Sequence, residues 1–137
     1  MTTEPSEIAK VLDFGIAKFL PNCVDPLTAE TATSAILGTL RYMSPEQRSG
    51  QAVHHAWDLW ALAVMTYEVL TGSYPFEDSS YDWLTPGRVV PFIPVNKHLP
   101  QASKGWQVLF ERSFARDLSD RHDSPEAFLS ELQCAGD

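Results

Sequence analysis

The stretch from Asp58 to Thr71 limits the fold most, because it is a helix with no obvious wet side. Ala, Leu, Met and Glu are frequent in it, no Gly or Pro interrupts it, and Gly72 follows where a C-capping glycine belongs. Leu59, Trp60, Leu62, Val64, Met65, Tyr67, Val69 and Leu70 point all the way round. The polar positions Asp58, Thr66, Glu68 and Thr71 form no continuous face. A helix apolar on every side is normally buried on every side. A membrane span needs about 20 apolar residues, so this helix is too short to be one. The expectation is a central post with the other segments packed around it.

The flanking segments are loops and helices. Ile8 to Leu12 reads as a short strand, broken by Asp13-Phe14-Gly15. Ile16 to Leu37 is loop-like, with Pro21, Pro26 and a Thr/Ser/Ala-rich patch from Thr28 to Ala35, and a loop this long is usually functional or mobile. After the central helix, Pro86, Pro91, Pro94 and Pro100 exclude a long helix between Glu77 and Gln101, although a short one fits Ser79 to Leu84. Ser103 is placed to cap a helix reaching about Ala115, with Trp106, Leu109, Phe110 and Phe114 on one side. Ser124-Pro125 is a helix start, with Phe128, Leu129 and Leu132 as its apolar stripe. One strand, a long loop and then helices make the fold class mainly α.

Composition narrows the function. A chain of 137 residues is one domain by default, and 44% hydrophobic residues suit a packed core. The net charge of −8 disfavours non-specific binding to nucleic acid or anionic lipid. Cys23 and Cys134 are the two cysteines, and their separation gives neither a metal-ligand pair nor a disulfide framework. The start, Met-Thr-Thr-Glu-Pro-Ser-Glu, has no basic or apolar leader region, so a cytoplasmic location is expected. His54-His55 are adjacent, which is not the helical spacing of a metal site, and read as surface or helix-entry residues.

Three signals occur in a fixed order: Val11-Leu12-Asp13-Phe14-Gly15, then Gly38 through Gln47 with Ser44-Pro45-Glu46 inside it, then Asp58-Leu59-Trp60-Ala61-Leu62-Ala63. Asp-Phe-Gly alone is weak, because three residues recur by chance. Together, at these separations, the three are specific. They resemble the C-terminal half of a serine/threonine protein kinase domain of the eukaryotic-like type found in bacteria. The resemblance covers Ile8 to Leu132 and implies a partial kinase C-lobe: an activation segment and the helices after it, without the N-lobe and catalytic loop. It divides the chain into a disordered leader (1–7), a partial kinase domain (8–133) and a tail (134–137). Within the domain, residues 8–15 hold the strand and Asp-Phe-Gly, 16–46 the activation segment and 55–133 the helices.

The resemblance gives individual residues roles. Asp13 matches the carboxylate that holds Mg²⁺ on the ATP phosphates; a hard cation needs an anionic oxygen. Read alone, Asp13 is a polar residue ending a strand. Phe14 would pack into the hydrophobic spine, and Gly15 would let the backbone turn. Thr39, beside Gly38, matches the threonine that helps select hydroxyl-bearing substrates; otherwise it is a turn threonine. Thr31 and Thr33 sit where activation-loop phosphothreonines lie, or belong to a solvated loop. Ser44-Pro45-Glu46 stands for the usual Ala-Pro-Glu, and Glu46 is expected to pair with Arg121 in a bidentate contact. Asp58 matches the Asp that anchors the catalytic loop, and Trp60 belongs to the same structural motif. Ala63 replaces a usual Gly, and His122 a usual Pro.

The complete template asks for more than these residues supply. No Gly-x-Gly-x-x-Gly loop is present, Lys10 abuts Asp13 and cannot be the ATP-binding strand lysine, and no His-Arg-Asp loop precedes Asp13. The catalytic Asp is therefore missing from this sequence. The expectation is a segment of a kinase that uses ATP and Mg²⁺ and acts on protein Ser or Thr in its complete domain, while the 137 residues alone bind neither and are inactive. The alternative is a non-catalytic binding or regulatory module that pairs with another kinase chain or with a kinase substrate. Either way Asp58 should be exposed and capping its helix, or buried and poorly satisfied.

Overall fold

The structure, a computed structural model, describes residues 41–77 and 91–136. The strand expected at Ile8–Leu12 and the short helix expected at Ser79–Leu84 lie outside these residues, as do Asp13, Phe14, Gly15, Thr31, Thr33, Gly38 and Thr39. Among the described residues five helices run in order: α1 (Pro45–Arg48), α2 (Ala56–Thr71), α3 (Val95–His98), α4 (Lys104–Ser113) and α5 (Pro125–Ala135), with a 3₁₀ turn at Leu118–Asp120 before α5. Among the described residues the extended pairing is a single antiparallel bridge between Phe76 and Phe92. The fold is mainly α.

Helix α2 is the expected post, beginning two residues before Asp58. It ends as the sequence requires: Gly72 sits at φ 70°, and its N–H donates to the Glu68 carbonyl at 2.8 Å. A side chain rarely adopts that left-handed backbone, so glycine is the natural residue there. Three of the scattered polar residues, Thr66, Glu68 and Thr71, find partners within the fold. Thr66 and Thr71 donate back to the carbonyls of Leu62 and Tyr67, each at 2.8 Å. Glu68 accepts from the Tyr42 hydroxyl at 2.7 Å.

The core lies where α2 crosses α4. Ala63 and Tyr67 meet Leu109, Phe110, Val95 and Phe128. Burying the Val, Leu and Phe side chains of this core contributes about 1.5–3 kcal/mol each. Tyr67 is fully enclosed; its hydroxyl donates to the Ile93 carbonyl at 2.8 Å, and burial raises its pKa. A second cluster, Trp60, Val64 and Phe76, fills the neighbouring layer. Helices α4 and α5 pair closely because α4 has a glycine at the contact. A Cβ at Gly105 would come within 2.8 Å of the Ala135 Cα, so only glycine allows this approach.

Three expectations need correction. Helix α2 is not buried all round: Asp58, Met65 and Val69 are exposed, Val69 at 88% and Met65 at 47%. They recur at helical spacing, so they mark one side that the described neighbours leave open. Leu129 is half-exposed and does not join the α5 stripe, because Phe128 is the residue that turns into the core. Ser103 occupies the N-cap position of α4 without capping it. Its hydroxyl reaches across to the Ala135 carbonyl at 2.5 Å, tying the start of α4 to the end of α5.

Candidate functional site

The described part of the candidate site is built around the short helix α1. Ser44 is fully buried and extended, and its hydroxyl accepts the N–H of Gln47 at 3.3 Å. Pro45 follows at the first helical position, where its missing N–H costs nothing. This cap fixes the direction of the next residue, Glu46, whose side chain turns into the protein.

Glu46 meets Arg121 in a two-point contact. Arg121 Nη1 donates to Glu46 Oε1 at 2.5 Å and Nη2 to Oε2 at 3.1 Å. Arg121 follows the 3₁₀ turn, 75 residues further along the chain. Its remaining donors are used as well: Nε bonds the Ala115 carbonyl at 2.8 Å and Nη2 reaches the Arg116 carbonyl at 3.5 Å. Its guanidinium lies over the Trp60 ring of α2, 4.7 Å from the centroid. Trp60 stacks on Phe76 at 5.5 Å and takes Phe114 edge-on at 5.1 Å. Segment 44–48, the central helix and the turn before α5 therefore share one junction.

The electrostatics follow from that enclosure. Burial pushes the Glu46 carboxyl up, but the Arg121 hydrogen bonds outweigh it, with help from a backbone N–H and Ser44, and its pKa ends below the ordinary value. Both members of the pair are almost fully buried. Removing one partner of such a pair leaves an uncompensated charge and costs about 3–5 kcal/mol.

Residues just before α1 are tethered too. The Tyr42 hydroxyl donates to Glu68 on α2, and this hydrogen bond, with burial, raises the Tyr42 pKa. Tyr74 donates to the Arg41 carbonyl at 2.7 Å, and the Arg41 guanidinium lies 4.2 Å above the Tyr74 ring. The signal for these ties was readable only as a question: Glu68 inside an apolar helix needs a partner.

The site residues of the sequence reading thus divide. Ser44, Pro45, Glu46, Trp60 and Arg121 come together. Asp58 does not join them: it lies exposed in the first turn of α2, and the turn's entry is instead closed by His54, whose Nδ1 accepts the Ala56 N–H at 3.2 Å. An acidic residue in a first turn is still favoured by the helix dipole. His54 and His55 are both exposed. No group of three His, Cys, Asp or Glu that could hold a metal exists among the described residues.

Residues 1–130 match the family model described as the protein kinase domain. The chain belongs to the protein kinase family. This kinase segment is 38% identical over 130 residues to the serine/threonine-protein kinase pkn3 of Myxococcus xanthus, covering 93% of the chain and 24% of that protein. It is 38% identical over 127 residues to the Pkn1 kinase of the same organism, covering 92% and 18%. To the probable serine/threonine-protein kinase PknB of Bifidobacterium longum it is 30% identical over 126 residues, covering 91% and 18%. The segment thus spans about a quarter or less of the length of these curated bacterial relatives. Among solved structures, the Cydia pomonella Granulovirus kinase PK-1 matches 66% of the chain and 34% of its own, with a TM-score of 0.52 and 25% identity. A bacterial-type serine/threonine kinase segment and a partial kinase C-lobe are therefore shown by family, relatives and fold together.

Proposed function

We propose that the chain supplies the activation segment and the helices behind it in a kinase domain that moves the γ-phosphoryl of ATP to a protein Ser or Thr, and that the 137 residues alone are catalytically silent. The observation that carries the reading is the buried Glu46–Arg121 pair on Trp60. It fixes the end of the segment that begins near Asp13 to the helical body, as a substrate-positioning platform requires. Residues 16–46 act as that segment, with Thr31 and Thr33 as phosphorylation sites and Thr39 selecting the hydroxyl-bearing substrate. Asp13 is the one residue of this sequence assigned to Mg²⁺, and Mg²⁺ with ATP supplies the transferred group and charge neutralisation in the complete domain. The reading places the chain in the cytoplasm; no described helix is long and apolar enough to cross a membrane.

A chimera tests this. Residues 8–133 replace the matching segment of the Myxococcus pkn3 kinase, and phosphorylation of a generic Ser/Thr protein substrate is measured. Activity that disappears with Asp13→Ala is the expected result. A folded, inactive chimera counts against the kinase reading. The purified 137-residue chain should incorporate no labelled phosphate, and incorporation abolished by Asp13→Ala contradicts its silence.

A second reading, a non-catalytic module that binds another kinase chain, draws on the exposed Met65 and Val69 side of α2. It requires a one-to-one complex with the N-terminal part of a bacterial Ser/Thr kinase. Met65→Glu should dissolve that complex.

A further inference from the structure

Arg121 holds the Glu46 junction, and the next residue, His122, reaches a different part of the fold. The backbone at Arg121 is extended, with φ −81° and ψ 176°. In extended chain, successive side chains point to opposite sides. Arg121 turns to Glu46 and the Trp60 ring, while His122 turns between α4 and α5. The His122 ring is buried and lies edge-on to Phe128 of α5 at 5.2 Å. Its Nε2 is 2.9 Å from Glu131 Oε2 on α5, and that oxygen also receives Arg112 Nη1 of α4 at 3.0 Å. Its Nδ1 is 3.4 Å from the Ser113 hydroxyl of α4. A neutral imidazole has one N–H and one bare nitrogen, and these contacts ask for no more: Nε2–H donates to Glu131, and the rotatable Ser113 hydroxyl can turn to Nδ1. Among the described residues, neither His122 nor Asp123 makes a backbone–backbone hydrogen bond. The His122 side chain is therefore what fastens the chain just after Arg121.

We propose that His122 is a positioning residue for Arg121: anchored on the Glu131–Arg112 pair, it fixes the peptide step that carries the guanidinium, and so sets the Glu46 lock from the α4–α5 side. Arg121 has other contacts, but they are local. Its Nε and Nη2 reach the carbonyls of Ala115 and Arg116, in the same loop between α4 and α5. Its backbone N–H donates to the Leu118 carbonyl of the 3₁₀ turn at 3.2 Å. These bonds close the loop on itself; the His122 ring fastens its far end to both helices. The lock on segment 44–48 and the α4–α5 pair are thus coupled through two adjacent residues. Removing the ring's N–H should loosen Arg121 while leaving α2 packed.

Hydrogen exchange in the full chain, isotope-labelled and followed by nuclear magnetic resonance, tests this without ATP or substrate, so its outcome stands apart from the kinase reading. The Arg121 Nε–H, which donates to the Ala115 carbonyl, reports the junction. The Tyr67 backbone N–H, inside α2, reports opening of the whole fold. Both are assigned by through-bond correlations. His122→Leu keeps an apolar group against Phe128 and loses the N–H; His122→Gln keeps a donor and an acceptor. The leucine variant should speed exchange at Arg121 relative to Tyr67 by roughly tenfold, the size of one lost hydrogen bond to a charged group. Glutamine should return that ratio toward the wild-type value. If the leucine variant does not fold, Glu131→Ala removes the anchor at a partly exposed position and should raise the ratio in the same way. A merely structural role would move both rates together. A ratio that stays at the wild-type value in the leucine or alanine variant overturns the proposal, and so does a glutamine variant that fares no better than leucine.

Discussion

The two sides of helix α2 are made of similar residues and behave differently. On one, Trp60, Val64 and Tyr67 lie under the aromatic layer and the Glu46–Arg121 junction. On the other, Asp58, Met65 and Val69 face outward. Composition along the helix does not distinguish them. The difference is set from outside, by a cap at Ser44 and an arginine at 121 that bring distant segments against one side only. The helix is thus a scaffold whose occupied side is defined by polar pairing and whose open side is apolar without a described neighbour.

If the occupied side depends on that junction, substitutions there should dominate stability. Arg121→Ala should cost about 3–5 kcal/mol in denaturant unfolding, because it strands the Glu46 carboxylate and uncovers the Trp60 ring. Gly105→Ala should cost about 1–3 kcal/mol through its clash with the Ala135 backbone, without touching the junction. On the open side, Val69→Lys should change stability by less than about 0.5 kcal/mol in the same assay. A large loss there would show that α2 is covered on both sides.

Acid should attack the same side. Folding lowers the Glu46 pKa, so the unfolded chain binds the proton more tightly than the folded one. The stabilisation is complete above the ordinary carboxylate value of 4.5 and is lost as pH falls through the folded value below it. Unfolding followed across that acidic window should show this slope in the wild-type chain and a shallower one in Glu46→Gln.

Much of this organisation was legible because it rests on local chemistry. Gly72 ends α2, Ser124 caps α5 by accepting the Ala127 N–H, and Pro125 opens it. Each is a signal within a few residues of its effect. Glu46 and Arg121 were nameable together only through the family resemblance, since no local pattern links residues 75 apart. What stayed hidden depends on tertiary placement. Ser103 has the form of a cap, but its hydroxyl finds the Ala135 carbonyl across the α4–α5 contact. Val69 and Val64 are the same residue type on one helix, and only the neighbours decide that one is exposed and the other enclosed. The Ser113–His122–Glu131 arrangement requires two helices and a turn to be in place before its residues meet.

The central claim is that the Glu46–Arg121 pair acts as one unit locking segment 44–48 onto the helical body. A double-mutant cycle with Glu46→Gln and Arg121→Lys, read by urea unfolding of the four chains, measures it directly. The account predicts a coupling of about 2 kcal/mol or more, with the second substitution costing little once the first is made. Costs that simply add, within about 0.5 kcal/mol, would contradict it.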